Sequence, residues 1–294
     1  MYEPEWRVPA SKSEALAVLA EAGPGAMVVA GGTDVSSLIR KRSLRPPLLV
    51  DLGRAEDMRT LDVAQNSKAG ARCLIGATVT HATLARDPGV ARAAAVLSAA
   101  CRTVGGPQIR ARGTIGGNVS NASPAADGTV ALFALGASAV IESEGGARRE
   151  VPLAGFLTGP GKTILARDEL VTAVAFDRTS PEARGVYRKV GQRNALAIAV
   201  VSVAVVFEPD EGTASIALGS VAPTPIRATE AEKLFADGWG AAAGSERGRR
   251  GLIDEAARTA VEAMSPIDDV RASAWYRTVL AEVLVRRALA EASE

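Results

Sequence analysis

Ala26-Met27-Val28-Val29-Ala30-Gly31-Gly32-Thr33-Asp34-Val35-Ser36-Ser37-Leu38-Ile39-Arg40 is the stretch on which the fold turns. Residues 26–30 form a short apolar run that stops at a glycine pair, and residues 35–40 have helical spacing. This reads as a strand, a Gly-Gly turn and a helix. Consecutive glycines at a strand end let backbone N–H groups converge on an anion, and a helix start beyond them adds its positive end. Plain turn chemistry uses the same residues, and spacing alone does not separate the two. Asp34 repels a phosphate if it points inward; otherwise it holds the turn by bonding a backbone N–H.

A second glycine-rich turn, Arg112-Gly113-Thr114-Ile115-Gly116-Gly117-Asn118, follows later. Two such turns suit the two phosphates of one dinucleotide, provided Gly32 and Gly117 share a cleft. No segment fits the P-loop pattern, and no Gly-x-Gly-x-x-Gly follows a strand: Gly23-Pro24-Gly25 precedes one. P-loop and Rossmann folds are therefore disfavoured. Beyond the second turn, Val119-Ser120-Asn121-Ala122-Ser123-Pro124-Ala125-Ala126-Asp127 supplies small hydrogen-bonding side chains suited to a ribose or polyhydroxyl chain. The same residues also read as a helix start at 125, with Ser123 as N-cap and Pro124 at the first helical position. A capping serine keeps spare bonding capacity, so both readings stand.

Working outward, residues 13–19 read as a helix capped by Ser11, and residues 48–52 as a strand launched by Pro46-Pro47. Residues 72–79 read as a strand, and 83–86 and 90–101 as helix. In residues 104–124 no period survives, and a loop of that length inside a compact domain is usually functional. Helix returns over 125–135. Residues 138–143 and 148–151 read as a hairpin closed by Glu144-Gly145-Gly146-Ala147, and 170–176 as a strand. The polar stretch Arg178-Thr179-Ser180-Pro181-Glu182 suggests a boundary between a unit at 1–178 and one at 183–294. Residues 186–190, 195–207 and 213–218 then read as three strands. Leu252, Ile253, Ala256, Ala257, Ala260, Val261 and Met264 share one helical face; Tyr276, Val279, Leu280, Val283 and Leu284 share another. A three-stranded sheet with helices packed on one face makes the second unit α+β.

Composition narrows the function. With 47% apolar and 23% charged residues, the chain is neither disordered nor fibrous. Its 34 basic and 33 acidic side chains leave a formal charge of +1, so no global field favours nucleic acid or an anionic membrane. Aromatics at 4% provide no base-stacking platform. Cys73 and Cys101 are too few for a four-thiolate iron–sulfur cluster, and with the single His81 they fit no zinc motif. They read as buried thiols of a reducing cytoplasm, and His81 as a helix-terminus or surface polar residue. Met1-Tyr2-Glu3-Pro4-Glu5-Trp6 has no secretory signal character, and no run approaches a membrane span. The longest apolar run, 195–207, reads as a buried strand.

Ala30-Gly31-Gly32-Thr33-Asp34, then Thr114-Ile115-Gly116-Gly117-Asn118 with Ser123-Pro124 and Asp127, resemble the FAD-binding medium subunit of the molybdenum hydroxylases, the carbon monoxide dehydrogenase and xanthine dehydrogenase family. The resemblance runs on through Tyr187-Arg188-Lys189, Arg193, Val221-Ala222-Pro223-Thr224-Pro225-Ile226-Arg227-Ala228-Thr229, Tyr276-Arg277 and Leu284-Val285-Arg286-Arg287-Ala288-Leu289. It covers essentially the whole chain, and the combination in this order is more specific than either turn.

The resemblance implies an FAD-binding domain of the vanillyl-alcohol-oxidase (PCMH) type followed by an α+β C-terminal domain. It places Val29, Ala30, Gly31, Gly32, Thr33, Asp34 and Val35 around the FAD pyrophosphate. Thr114, Gly116, Gly117, Asn118, Ser120, Asn121 and Ser123 continue the cradle toward the ribityl chain, and Asp127 contacts the cofactor. Val104 falls beside the flavin ring, where some relatives carry an aromatic residue; Leu170 or Val171 packs near the ring. Lys189 matches a lysine at the N5–O4 edge, where a cation would raise the flavin potential; by residue type alone it also reads as a solvated strand lysine. With no histidine in the first loop, non-covalent FAD is implied, and no metal or iron–sulfur cluster in this chain.

The implied protein is an electron-transfer oxidoreductase subunit, without catalytic acid–base residues of its own, in a cytoplasmic heterotrimer. A large subunit would oxidise substrate at a molybdenum cofactor, and a small subunit with 2Fe–2S centres would feed electrons to FAD. NAD, a quinone or another acceptor would collect them. Two other readings remain open: a free-standing flavin oxidase or reductase of the same fold, and a flavin-free scaffold subunit.

Overall fold

The computed structural model describes residues 2–63 and 71–294, so Met1 lies outside it. The chain opens with β1 (Glu5–Arg7), α1 (Lys12–Ala22), β2 (Ala26–Val29), α2 (Val35–Arg40) and β3 (Leu48–Asp51). The Ser11 hydroxyl accepts the Glu14 N–H at 3.2 Å, which fixes the start of α1, and Ala15, Leu16 and Leu19 are its buried side. The three strands form a parallel sheet in the order β1-β3-β2. Sequence reading missed β1, whose three exposed residues show no apolar alternation.

The second layer holds β4 (Leu61–Asp62), β5 (Arg72–Gly76), α3 (His81–Arg86), α4 (Pro88–Ala93), α5 (Ala95–Thr103), α6 (Pro107–Arg112), α7 (Ile115–Ser120), α8 (Asp127–Ala134), β6 (Ser138–Ser143), β7 (Arg148–Pro152), α9 (Leu153–Phe156), β8 (Leu157–Gly159), β9 (Lys162–Thr163) and β10 (Glu169–Asp177). Its five-stranded sheet is antiparallel, ordered β4-β5-β10-β6-β7, with β10 central and buried from Leu170 to Phe176. The helix expected over 90–101 is two helices, broken at Ala94, whose φ of −159° is extended.

The stretch expected as one long loop, 104–124, instead contains α6 and α7. Pro107 opens α6, and the Thr114 hydroxyl accepts the Gly117 N–H at 3.2 Å to start α7. Short helices of this kind leave no apolar period to read. The helix expected at 125 begins at Asp127, and Ser123 is not its cap: its hydroxyl takes only the Ala125 N–H, at 3.3 Å. Asn118 does the capping from a neighbouring helix. Its Oδ1 accepts both the N–H and the hydroxyl of Thr129, each at 3.0 Å.

The remaining elements are β11 (Arg184–Gly191), β12 (Ala199–Glu208), β13 (Thr213–Gly219), β14 (Ile226–Arg227), α10 (Thr229–Ala242), α11 (Glu246–Ala260) and α12 (Ala274–Ser293). The expected three-stranded sheet is a four-stranded antiparallel one, because the two-residue β14 pairs Ala217 and Leu218 of β13. The second of these expected strands starts at 199 rather than 195; Leu196 and Ile198 precede it and are exposed. Helices α10 to α12 cover one face, over Val201, Val203, Val205 and Phe207 of β12. Ala204 and Val206 point the other way, into the core of the first unit, where α5 and α8 pack on the sheet. Alternating side chains of a single strand therefore join two cores, and the small residues on the second face admit α8 closely.

The buried face of α12 is Arg277, Ala281, Leu284, Val285, Ala288, Leu289 and Ala292. Tyr276 and Val279, expected on it, are exposed. The face is rotated because Arg277 is drawn inward. Its Nη1 donates to the carbonyls of Val200 (2.7 Å) and Ser220 (2.8 Å), and Nη2 to Asp269 Oδ1 at 2.6 Å. Arg277→Leu removes the donors from these acceptors, so urea unfolding should show a loss of roughly 2 kcal/mol; an unchanged midpoint would mean the carbonyls are satisfied otherwise.

Candidate functional site

The two glycine-rich segments meet. A methyl group at Gly31 would fall on the Arg112 carbonyl oxygen and lie 2.9 Å from Gly113 Cα. One at Gly113 would lie 3.6 Å from the Thr33 hydroxyl. Gly31 and Thr33 of the first turn are thus laid directly against Arg112 and Gly113 at the start of the second. Behind it, Thr114 bridges Thr80, and His81 N–H donates to the Gly113 carbonyl at 3.0 Å.

The turns are not equivalent in what they offer. In the second, Ile115 N–H donates to Val79 O (3.0 Å), Gly116 N–H to Ala77 O (2.9 Å) and Gly117 N–H to Thr114 Oγ1 (3.2 Å). A methyl at Gly116 would come within 2.5 Å of Ala77 Cβ, so that residue roots α7 in the core. The exposed side of α7 carries Gly117, Ser120 and Asn121, at i, i+3 and i+4. In the first turn, the N–H groups of Gly31, Gly32, Thr33 and Asp34 have no acceptor among the described residues. Asp34 stands at the N-cap of α2 without making a side-chain bond, so its expected turn-holding role is not seen. Ala30, Gly31, Gly32 and Thr33 are half-buried, Val29 buried and Val35 half-buried.

A polar knot lies at the other end of the 103–118 segment. Lys189 Nζ, on β11, sits 2.5 Å from Asp127 Oδ2 and donates to Thr103 O at 3.0 Å. Tyr187 OH donates to Asp127 Oδ1 at 2.7 Å, and Thr103 Oγ1 to Oδ2 at 3.3 Å. Burial raises the Asp127 carboxyl above its ordinary range, and Lys189, Tyr187 and Thr103 offset part of that. Burial and the neighbouring carboxylate push the Tyr187 phenol well up, so it stays a donor. Lys189 is therefore not a solvated strand lysine: its side chain is 12% exposed and held in an ion pair that ties β11 to α8.

Val104 is half-buried and follows Thr103 directly. Leu170 and Val171 are buried in the core on β10, just before Thr172, whose carbonyl takes the Ala77 N–H at 2.9 Å beneath Gly116. His81 is not a surface residue. It is 2% exposed, its Nδ1 lies 3.5 Å from Cys101 Sγ, and burial holds its imidazole down at about 4, helped by the charge of Arg110. Burial likewise drives the Cys101 thiol far up, so the pair is neutral at pH 7. Its ring wedges between the cradle and α8: methyl groups at Gly113 and Gly128 would meet it at 3.3 and 3.4 Å.

Among the described residues no three His, Cys, Asp or Glu side chains gather as a metal site, and no helix is long and apolar enough to cross a membrane. Two surface concavities, of about 270 and 890 Å³, lie elsewhere, one beside Val96 and Gly185 and one between α11 and α12. Sequence reading missed Thr103, Ala77 and Arg110 at this site. Ala77 acts through its backbone carbonyl, which leaves no residue signature, and Thr103 through its carbonyl and its hydroxyl together; Arg110 had a signal only in its place beside the second turn.

Comparison with known proteins finds similarity along nearly the whole chain. The family profile described as "FAD binding domain in molybdopterin dehydrogenase" matches residues 2–177, and "CO dehydrogenase flavoprotein C-terminal domain" matches residues 186–292. The carbon monoxide dehydrogenase medium chain of Hydrogenophaga pseudoflava is 30% identical over 97% of this chain and 95% of its own. The xanthine dehydrogenase FAD-binding subunit of Escherichia coli is 30% identical over 96% and 94%. A solved structure of CO dehydrogenase from Oligotropha carboxidovorans superposes with a TM-score of 0.88 at 28% identity, covering 99% of this chain and 98% of that one.

Proposed function

This chain belongs to the FAD-binding medium subunits of the molybdenum hydroxylases, and on that premise we propose that it takes electrons from 2Fe–2S centres in a small partner subunit and passes them to NAD, a quinone or another soluble acceptor. A third, molybdenum-cofactor subunit oxidises the substrate, and the assembly works in the cytoplasm. Residues 1–178 form the FAD-binding unit and residues 183–294 the C-terminal unit.

One observation carries the cofactor reading. Four successive N–H groups, Gly31 to Asp34, lack acceptors on a loop whose other side is pressed against Arg112 and Gly113. Backbone N–H groups left together in this way suit a diphosphate. The residues present therefore fit FAD. In this reading Val29 to Val35 wrap the diphosphate, and Thr114, Gly117, Ser120 and Asn121 form the facing wall. Gly116 and Asn118 act from behind by anchoring α7 and capping α8, and Ser123 lines the turn between those helices. Val104, Leu170 and Val171 lie toward the flavin ring, with the Asp127–Lys189 pair at its polar edge. FAD supplies, when bound, two-electron storage between a one-electron donor and its acceptor. The side chains need only bind, orient and shield it, and the one histidine is buried and neutral, which leaves it no part as a substrate base.

The purified chain should take up one FAD non-covalently, released on acid denaturation, and should reduce dyes with NADH without oxidising small alcohols. Turnover of such an alcohol by the isolated chain would favour a free-standing oxidase. A colourless chain that binds no added FAD would make it a scaffold.

A further inference from the structure

Arg110, on α6, makes an unusual pair of contacts. Its Nη1 donates to the carbonyls of two consecutive residues, Val104 at 3.0 Å and Gly105 at 2.7 Å. It makes no ion pair with any carboxylate among the described residues. In a trans peptide plane the N–H points opposite to the C=O. With both carbonyls drawn to one guanidinium, the N–H groups of Gly105 and Gly106 are turned to the far side. Neither has an acceptor among the described residues. Gly105 has φ +43°, and a methyl there would lie 2.9 Å from Ile109 Cβ; Gly106 is buried, and a methyl on it would lie 2.8 Å from Leu196 Cδ2 and 3.2 Å from Gln108 Oε1, so only glycine fits at either place.

The turn is continuous with the site. Thr103, one residue earlier, accepts from Lys189, and the segment runs on through Arg112 and Gly113 to the first glycine turn. The 103–118 segment therefore spans from the polar knot to the diphosphate cradle, and its middle holds two N–H donors, on half-buried Gly105 and buried Gly106, without an acceptor among the described residues.

We propose that Arg110 is a positioning residue that aims the Gly105 and Gly106 N–H groups at the carbonyl edge of the flavin ring. This rests on the FAD reading above and deepens it. Lys189 is neutralised by Asp127 at 2.5 Å. The Arg110 guanidinium is bound only to carbonyls and, like that of Arg112 in the same segment, makes no ion pair among the described residues. Two oriented donors backed by a positive charge stabilise electron density arriving on the ring carbonyls and raise the potential of the bound flavin.

The test uses the full chain reconstituted with FAD carrying carbon-13 at the two ring carbonyls. The unaltered chain should shift at least one carbonyl resonance downfield of free FAD in water. Arg110→Gln should reverse much of that shift, weaken FAD binding roughly tenfold and move the midpoint potential to more negative values. Arg110→Lys, which keeps the charge, should recover most of the potential. Carbonyl resonances of the unaltered chain identical to free FAD overturn the proposal, and this result does not depend on whether a variant folds. So does an Arg110→Gln protein that holds FAD with the native potential and affinity. An unaltered chain that takes up no FAD overturns the cofactor reading itself, and the two failures are thus told apart.

Discussion

Gly31→Ala should weaken FAD binding by at least roughly 100-fold while the fold survives. The added methyl lands on the Arg112 carbonyl oxygen and 2.9 Å from Gly113 Cα, both backbone atoms that no rotamer change can move aside. Relief requires the first turn to lift away from the 112–114 loop. The Gly31 to Asp34 N–H groups then lose their aim at a common point. Losing two charge-assisted bonds at about 1.5 kcal/mol each gives the hundredfold figure. The turn is a half-buried surface feature whose N–H groups support no other element, so the melting temperature should fall little. Equilibrium titration of the apo chain with FAD, read by quenching of flavin fluorescence, measures the first quantity, and circular dichroism the second. A native dissociation constant in the variant would remove the first turn from the cofactor site.

Much of this site is legible in the sequence because its chemistry lies in residues whose types are diagnostic. Gly31-Gly32 after an apolar run marks a turn that must approach another backbone, and the structure finds that backbone at Arg112 and Gly113. The strand at 26–29, the hairpin closed at 144–147 and the central β10 follow from local patterns alone. The departures share one cause: tertiary partners replace local signals. Ser123 looks like the cap of α8, but Asn118 reaches across from α7 and takes that place. Tyr276 and Val279 belong to an apolar stripe by spacing, but Arg277, with three acceptors in the interior, turns the helix. His81 is polar and alone in the sequence, and only the fold reveals that it fills the space between two glycines beside Cys101. Lys189 reads as a free cation until its partner, 62 positions away in the chain, is brought to it.

That partnership changes what the lysine's removal should do. Lys189→Met leaves Asp127, 6% exposed, without its cation in the interior. The carboxyl must then stay charged in a poor medium or take up a proton. For a carboxyl of ordinary affinity, protonation at pH 7 costs about 4 kcal/mol, which caps the loss; breaking a buried pair typically costs about 3–5 kcal/mol. A loss of about 3–4 kcal/mol in unfolding free energy at pH 7 is expected. Burial already raises Asp127 in the intact chain, and Lys189 is the main influence opposing it, so the variant's carboxyl is raised further. A raised folded-state value means the native protein holds the proton where the unfolded chain has lost it. Stability then declines as pH rises from the unfolded value through the folded one. The gap between variant and native protein should therefore be wide at pH 7.5 and narrow toward pH 5. Asp127→Asn in the same chain should recover most of the loss, because an amide needs no counter-charge. The flavin potential should fall less than for loss of an isolated cation, since the pair is nearly neutral as seen from the ring. Urea unfolding of the unaltered chain, the two single variants and the double variant at both pH values measures all four corners of the cycle. A penalty independent of pH, or one unrelieved by Asp127→Asn, would show that Lys189 stabilises the chain through packing of its stem rather than through its charge.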